Sequence, residues 1–435
     1  MHPNLISSSL GDGFDAEAVF SALFAGRDDV FWLDSGAEGI SYLGSGSPMA
    51  VDAESVWDVL RAVPAGAAPG EGFRLGAVGW LGYELRAQTT GVIVARSSRY
   101  PDAAFLRVDR LIAIDGATGR AEVLALGHEW TVELAQWREQ VRRLSGAVPA
   151  ERRTPGLDRL DHRVAWHETD AQYLANVRAC QAAIHEGEAY QLCLTTQASI
   201  AGEFDPFEVY RRLRKSSPTH HGALIRIGGV SLLSASPERF LDIDPAGAVS
   251  TRPIKGTRPR ASEPAADAEL AEELRASEKE RAENLMIVDL MRNDLARVCE
   301  LGSVTVTELL EIESYAHVHQ LVSTVVGQLE VGRSPLDAVE ACFPAGSMTG
   351  APKRRATELL DGLEGRARGL YAGAFGYVGL DGRVDLAMTI RTIVLDAAGA
   401  TVGTGGGITA LSVPSEELAE AKLKAAALLA ALGAL

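Results

Sequence analysis

Residues 369–408 read GLYAGAFGYVGLDGRVDLAMTIRTIVLDAAGATVGTGGGI, and this stretch decides the fold class. Runs rich in Val, Ile, Tyr and Thr alternate with turn residues. Asp381-Gly382 carries the two-residue signature of a tight hairpin. The pattern predicts an antiparallel meander. Directly after it, Ser415 can cap a last helix, with Glu416 and Glu417 in the first turn, where negative charge favours a helix start.

The same punctuation extends toward the amino end. Leu174, Val177 and Ile184 recur at helical spacing over 171–186, and Gly187 stands where a carboxyl cap would. AYQLCLTTQAS follows with period two: Tyr190, Leu192 and Leu194 face one way, Gln191, Cys193 and Thr195 the other. VSLLSASPERFLDI and AVSTRPIKGT read as strands, KGTRPRASEPAADAE as an exposed loop, and 267–299 as one long helical run with charge pairs. Before them, VFWLDSG, RLGAVGWLGYEL, AAFLRVDRLIAIDG and RAEVLAL read as short strands. RAVPAGAAPGEG at 61–72 is a loop. GAVPAERRTPGLDRLD at 146–161 reads as a connection between an amino-terminal region, 1–150, and a larger region, 165–435. Strand runs with a few long helices between them predict α+β rather than a regular βαβ series.

Composition narrows the function classes. The chain has 435 residues with 42 Lys+Arg against 58 Asp+Glu, a net charge of −16. No net positive field draws phosphates, which argues against a nucleic-acid partner. Cys180, Cys193, Cys299 and Cys342 form no CxxC pair, so a reducing, cytoplasmic setting is expected. The start MHPNLISSSLGDGF has no basic, then apolar, leader pattern. The apolar tail LKAAALLAALGAL is shorter than the roughly 20 residues a bilayer span takes, so no membrane partner is expected.

Four local constellations could carry chemistry. Glu280 and Glu283 sit three apart on one predicted helix, and Glu417 and Glu420 repeat that spacing on another, with Lys424 four residues on. Four carboxylates on two helices suit a hard cation such as Mg²⁺; surface ion pairs such as Glu420 with Lys424 are the competing reading. The run Gly403-Thr404-Gly405-Gly406-Gly407 can bring backbone N–H groups to an anion, or simply turn the chain. Gly346-Ser347-Met348-Thr349-Gly350-Ala351-Pro352-Lys353 departs from a phosphate loop at Ala351-Pro352, though a helix start there could face an anion. Lys255, between Arg252 and Arg258, would be pushed toward a neutral, nucleophilic amine by burial and like charge; the alternative is an ordinary surface lysine. No cysteine lies in a glutaminase-type elbow.

Taken in order, GEAYQLCLTT, SASPERF, RPIKGTRPR, KERAENLMIVDLMRNDL, VHQLVSTVVG, FPAGSMTGAPK, GLYAGAFGY, IRTIV, GTGGGI and EELAEAKLKA resemble the chorismate-utilising enzymes over about residues 165–430. FWLDSG and GWLGYE match more loosely. The resemblance implies a large two-lobed α+β fold of stacked antiparallel sheets flanked by helices, with chorismate and Mg²⁺ in the cleft between the lobes. By motif position it implies Glu283 and Glu420 as metal-binding, with Glu280 and Glu417 beside them. It places Gln191, Thr257, Thr349, Tyr371, Arg391, Gly406, Gly407 and Lys424 around the substrate.

Two positions separate the family's reactions. The water-adding branch has a lysine at the place of Gln191, and a glutamine amide cannot act as that base. The anthranilate branch reads PIAGT where this chain reads PIKGT. The resemblance therefore implies amination: Lys255 adds at ring carbon 2, Glu238 assists departure of the carbon-4 hydroxyl, and ammonia displaces the lysine to give 4-amino-4-deoxychorismate, the precursor of p-aminobenzoate in folate synthesis. Ammonia is expected from a separate glutamine amidotransferase subunit. Gln320 replaces the histidine that serves pyruvate elimination in the anthranilate branch. An anthranilate-forming enzyme and a silent chorismate- or tryptophan-binding subunit are the other readings. FWLDSG resembles a tryptophan-inhibition string, so Asp34 and Ser35 are expected at an indole pocket, a structural turn being the alternative.

Overall fold

The structure is a computed structural model that describes residues 4–64, 66, 70–149, 163–315 and 318–434. Most of the connection read at 146–161, and part of the loop at 61–72, lie outside the described residues.

The strands read from the sequence pair antiparallel throughout, but in two sheets rather than one meander. The hairpin Ala374–Gly379 with Val384–Met388 lies in a ten-stranded sheet, and the hairpin Thr392–Asp396 with Gly399–Ile408 lies in a twelve-stranded sheet. The chain crosses between them at Thr389–Arg391, where Arg391 takes a left-handed φ of 48°. A single meander would have left one face of all four strands in water. Splitting it buries both faces.

Both sheets draw strands from both halves of the sequence. In the larger, Val30–Asp34 pairs with His221–Ile227; in the smaller, Gly76–Leu81 pairs with Ala374–Gly379. The sheets pack face to face over Phe31, Val78, Trp80, Ile225, Phe375 and Val394, all buried. Helices cover the outer faces. Phe20, Trp32, Phe207 and Leu428 fill one outer core, and Trp57, Phe240, Ile287 and Phe343 the other. The layers are thus helix, sheet, sheet, helix. Among the described residues no helix is long and apolar enough to cross a membrane.

Local sequence explains most element ends. The helix Asp170–His185 opens on a Thr169/Gln172 capping box and is followed by Gly187 at φ +80°. The long run at 267–299 is instead two helices, Pro264–Ala276 and Glu278–Leu295. Ser277 breaks the run by leaving the helical region (ψ 109°) and accepting the Glu280 N–H at 3.4 Å, as a capping serine prefers. The stretch read as an exposed loop is mostly structured: Ile254–Pro259 pairs with Val318–Gln328, and Pro264 starts a helix. The last helix, Pro414–Ala431, starts two residues earlier than read, with Val413 rather than Ser415 at its cap position and no side-chain cap bond. Pro414 takes the first helical turn, where its missing N–H costs nothing.

The glycine run forms a strand, not a loop. Cys193↔Gly407, Leu194↔Gly406 and Gln197↔Gly403 are paired across the ladder of Gln191–Ala201 with Gly399–Ile408. A Cβ built on Gly403 would stand 2.1 Å from Cγ of Tyr371, so the bare backbone is what admits the tyrosine ring. Gly403→Ala must push the ring out of a closed core. The expected loss is about 1–3 kcal/mol, read as a lower urea midpoint at unchanged slope.

Candidate active site

The site lies where the Gln191–Ala201 and Gly399–Ile408 strands meet the helices Glu278–Leu295 and Pro414–Ala431. Lys255 comes from the strand Ile254–Pro259 and is half-buried. Burial alone would lower its pKa. Glu283 foremost, then Cys193, Glu238 and Glu420, outweigh that and hold it above the ordinary lysine value. This corrects the expectation of an amine neutralised by its neighbours. Arg252 pairs instead with Glu313 and with Glu308 at 3.5 Å. Arg258 pairs with Glu273 at 2.9 Å and Glu280 at 3.7 Å. The flanking cations are thereby neutralised, and the charges that face Lys255 are negative.

Glu238 is 8% exposed. Burial raises its pKa above the ordinary carboxyl value, while Lys255, the Ser347 hydroxyl, the Ile254 N–H and Lys424 pull it back. A buried carboxyl with a raised pKa beside an ammonium is suited to hold and release a proton. Gln191 is 1% exposed, and among the described residues neither its amide oxygen nor its nitrogen has a partner. It lies across Gly407, where a Cβ would come within 2.0 Å of its nitrogen. Buried amides without partners are costly, so this one is available to bond a ligand or water.

The carboxylates from the two helices face one another. Glu283 and Glu417 are buried, Glu280 is half-buried and Glu420 is exposed. Burial raises Glu283; Lys255 and Lys279 oppose this, while Glu280 and Glu417 add to it. Partial burial would raise Glu420 too, but Lys424, 2.7 Å away, with Lys279 and Lys255, holds it below the ordinary value. Lys424 also donates to the Gly405 carbonyl at 2.9 Å. Glu417 accepts from Ser412 at 2.7 Å and Lys279 at 3.4 Å and lies against Gly406, 3.1 Å from a Cβ built there. Glu280 lies over Gly256, whose φ of +78° and 3.0 Å clearance leave no room for a side chain. Among the described residues no group of three or more His, Cys, Asp or Glu side chains is placed to hold a metal ion.

Lys279 was missed in the sequence. Its ammonium is raised by Glu417, Glu283 and Glu420 against the effect of burial, so a positive charge already sits among the carboxylates. Its spacing of four before Glu283 was the available signal. Ser347, beside Glu238, and Cys193, beside Lys255, were also not assigned roles.

Other expected site residues lie around this centre. Burial lowers the pKa of Arg391, at the crossover between sheets, while Tyr371 and Glu420 oppose that shift. Tyr371 is 8% exposed, against Gly403. Thr349 is fully buried, its hydroxyl 3.3 Å from the carbonyls of Ala345 and Gly346. Thr257 is exposed and paired with Gln320. Asp34 and Ser35 stand apart. Asp34 accepts from Ser41, Gly36 and Tyr210, each at 3.1 Å, and pairs with Arg214 at 2.5 Å. Ser35 donates to the Ile40 carbonyl at 2.9 Å and lines a 660 Å³ cavity with His220, Arg252 and Gln320.

The profile of the family described as "chorismate binding enzyme" matches residues 12–430. The aminodeoxychorismate synthase of Streptomyces pristinaespiralis is 42% identical over 464 residues, covering 96% of this chain and 64% of that protein. The chain thus spans less than two thirds of that relative. Anthranilate synthase component 1 of Streptomyces coelicolor is 38% identical over 381 residues, 83% of this chain and 73% of that one. Among solved structures, anthranilate synthase component I from Streptococcus pneumoniae superposes with a TM-score of 0.76 at 29% identity, covering 97% of this chain and 92% of that one.

The charge balance has a measurable consequence. Lys279→Met takes away the ammonium partner of Glu417 and one of the two cations that oppose the burial of Glu283, and pushes Glu283 further up. A carboxyl whose folded pKa lies above its unfolded value keeps its proton in the folded state, so its effect on stability worsens as pH rises. In a chelating buffer the variant should melt below the wild type at pH 8, and the gap should close by pH 5.

Proposed function

The chain belongs to the chorismate binding enzymes, and from that membership we propose that it aminates chorismate to 4-amino-4-deoxychorismate, using ammonia delivered by a glutamine amidotransferase partner. The carrying observation is Lys255, held among Glu283, Glu238 and Glu420, on a chain with Gln191 where water-adding relatives have a lysine. The name of the Streptomyces pristinaespiralis relative supports the same branch.

The residues support a proton economy within one pair. At rest Lys255 is an ammonium and Glu238 a carboxylate drawn toward its protonated form. Passing one proton from Lys255 to Glu238 yields both a nucleophilic amine and a general acid. Exclusion of water by a bound substrate favours this neutral pair over the ion pair. The Lys255 nitrogen then bonds to carbon 2, both double bonds of the ring diene shift by one position, and the carbon-4 C–O bond breaks as Glu238 protonates the departing oxygen. In the second half ammonia bonds to carbon 4, the carbon-2 to nitrogen bond breaks, and the surplus proton returns through Glu238 to the lysine. Gln191 can orient but not deprotonate, so water is not activated at its position.

Mg²⁺ is proposed at Glu283 and Glu420, with Glu280 and Glu417 beside them. A site of one or two carboxylates plus water suits this ion, and the ammonium of Lys279 among three of these carboxylates supports a place that favours positive charge. When bound, the ion would supply charge to hold the substrate carboxylate. Lys424 and the N–H groups of Gly406 and Gly407 would complete that recognition, with Arg391 and Tyr371 on the other side. Tryptophan is proposed to occupy the cavity walled by Ser35, with Asp34 fastening its edge.

The decisive measurement is mass spectrometry of the product from chorismate, Mg²⁺ and an ammonium salt. Aminodeoxychorismate is expected; anthranilate would refute the branch assignment. Lys255→Ala should cut amination at least about 100-fold, a typical scale for losing a covalent or acid–base group. Glu283→Gln should raise the Mg²⁺ concentration needed for half-maximal rate, with the ammonia requirement unchanged.

A further inference from the structure

Beneath the site lies an ion pair that the proposed chemistry does not use. Arg368 and Glu364 have side chains only 1% and 3% exposed, on the segment leading into Tyr371. The guanidinium donates Nε to Glu364 Oε2 at 2.8 Å and Nη2 to Oε1 at 2.7 Å. It also donates Nη1 to the Met348 carbonyl at 2.7 Å and Nη2 to the Cys193 carbonyl at 2.9 Å. Its plane lies over the Tyr83 ring, 4.3 Å from the centroid. Glu364 in turn accepts from the N–H and the hydroxyl of Thr195, each at 2.9 Å. Glu84 takes the backbone N–H groups of Arg368 and Gly369 at 2.8 and 2.9 Å, fixing the approach to Tyr371.

The two carbonyls are informative. Cys193 is two residues beyond Gln191, on the same strand. Met348 sits between Ser347, which bonds Glu238, and Thr349. One rigid fork therefore spans the two backbone segments that carry the amide and the support of the acid. A buried ion pair adds little net stability, and apolar residues of similar volume often replace it without loss. Arginine serves here because its planar donors reach several acceptors in fixed directions, which lysine cannot do.

We infer that the Arg368–Glu364 pair is a positioning unit that sets the separation of Gln191 from the Ser347–Glu238 pair. The inference rests on the amination reading for the roles of those groups, but not for the geometry. Misplacement by about 1 Å costs on the order of 100-fold in rate, so the pair should govern turnover more than binding.

The test uses the full chain and two variants. Glu364→Leu/Arg368→Met removes both charges and leaves neither unpaired. Arg368→Lys keeps the charge pair and shortens the fork. In both, kcat for chorismate consumption should fall at least tenfold with KM changed less than threefold. Amide hydrogen exchange should quicken in 191–195 and 346–350 while the outer core around Phe20 and Trp32 stays protected. A folded double variant with kcat within twofold of wild type would overturn the inference, as would unchanged exchange in those two segments. If one variant fails to fold, the other decides. Should the wild type yield a different product, the amination reading fails, and the same comparison on that product still judges the pair. Should it yield none, the exchange pattern judges it.

Discussion

The ladder between Gln191–Ala201 and Gly399–Ile408 is the constraint on which the rest depends. One strand presents side chains, and the other withdraws them. Because Gly403 and Gly407 carry no Cβ, the Tyr371 ring and the Gln191 amide can lie directly on backbone. Any larger residue at those places would fill the floor of the site. The same bareness exposes main-chain groups: the Gly405 carbonyl takes the Lys424 ammonium, and Gly406 leaves space for Glu417. Backbone geometry and electrostatics are therefore one arrangement. The glycines are needed for approach as much as for turning.

Around that floor, charge is balanced rather than accumulated. Lys255, Lys279 and Lys424 are distributed among Glu238, Glu283, Glu417 and Glu420, so the buried charges face opposite partners. The two arginines that flank Lys255 in the sequence are tied to carboxylates on neighbouring elements. Spacing along a chain shows which charges are near in sequence. Only the fold shows which of them point together.

The limits of the sequence follow the same logic. Period-two runs and Gly punctuation located the strands well, and Gly187 marked the end of a helix, because those signals are local; the Thr169 cap at the start of that helix was not read from the sequence. The partition of the 369–408 hairpins between two sheets was not legible, since it follows from burial on both faces. Ser277 could have been read as a break in the long helical run, but the apolar spacing on either side masked it. Most of the site was legible only through ordered motifs, because Lys255, Glu283 and Glu420 come from separate elements. Lys279 and the Arg368–Glu364 pair remained hidden because charged residues are usually solvated.

The interleaving of both halves of the chain in both sheets has a consequence for how the molecule is made. Gly76–Leu81 pairs on one side with the nearby Ala103–Val108 but on the other with Ala374–Gly379, so the central ladder of the smaller sheet cannot close until residue 379 has been synthesised. Contacts this distant in sequence carry a high loop-closure cost and slow folding. The amino-terminal strands emerge from the ribosome with an unpaired edge and must wait, exposed to mispairing and to chaperones.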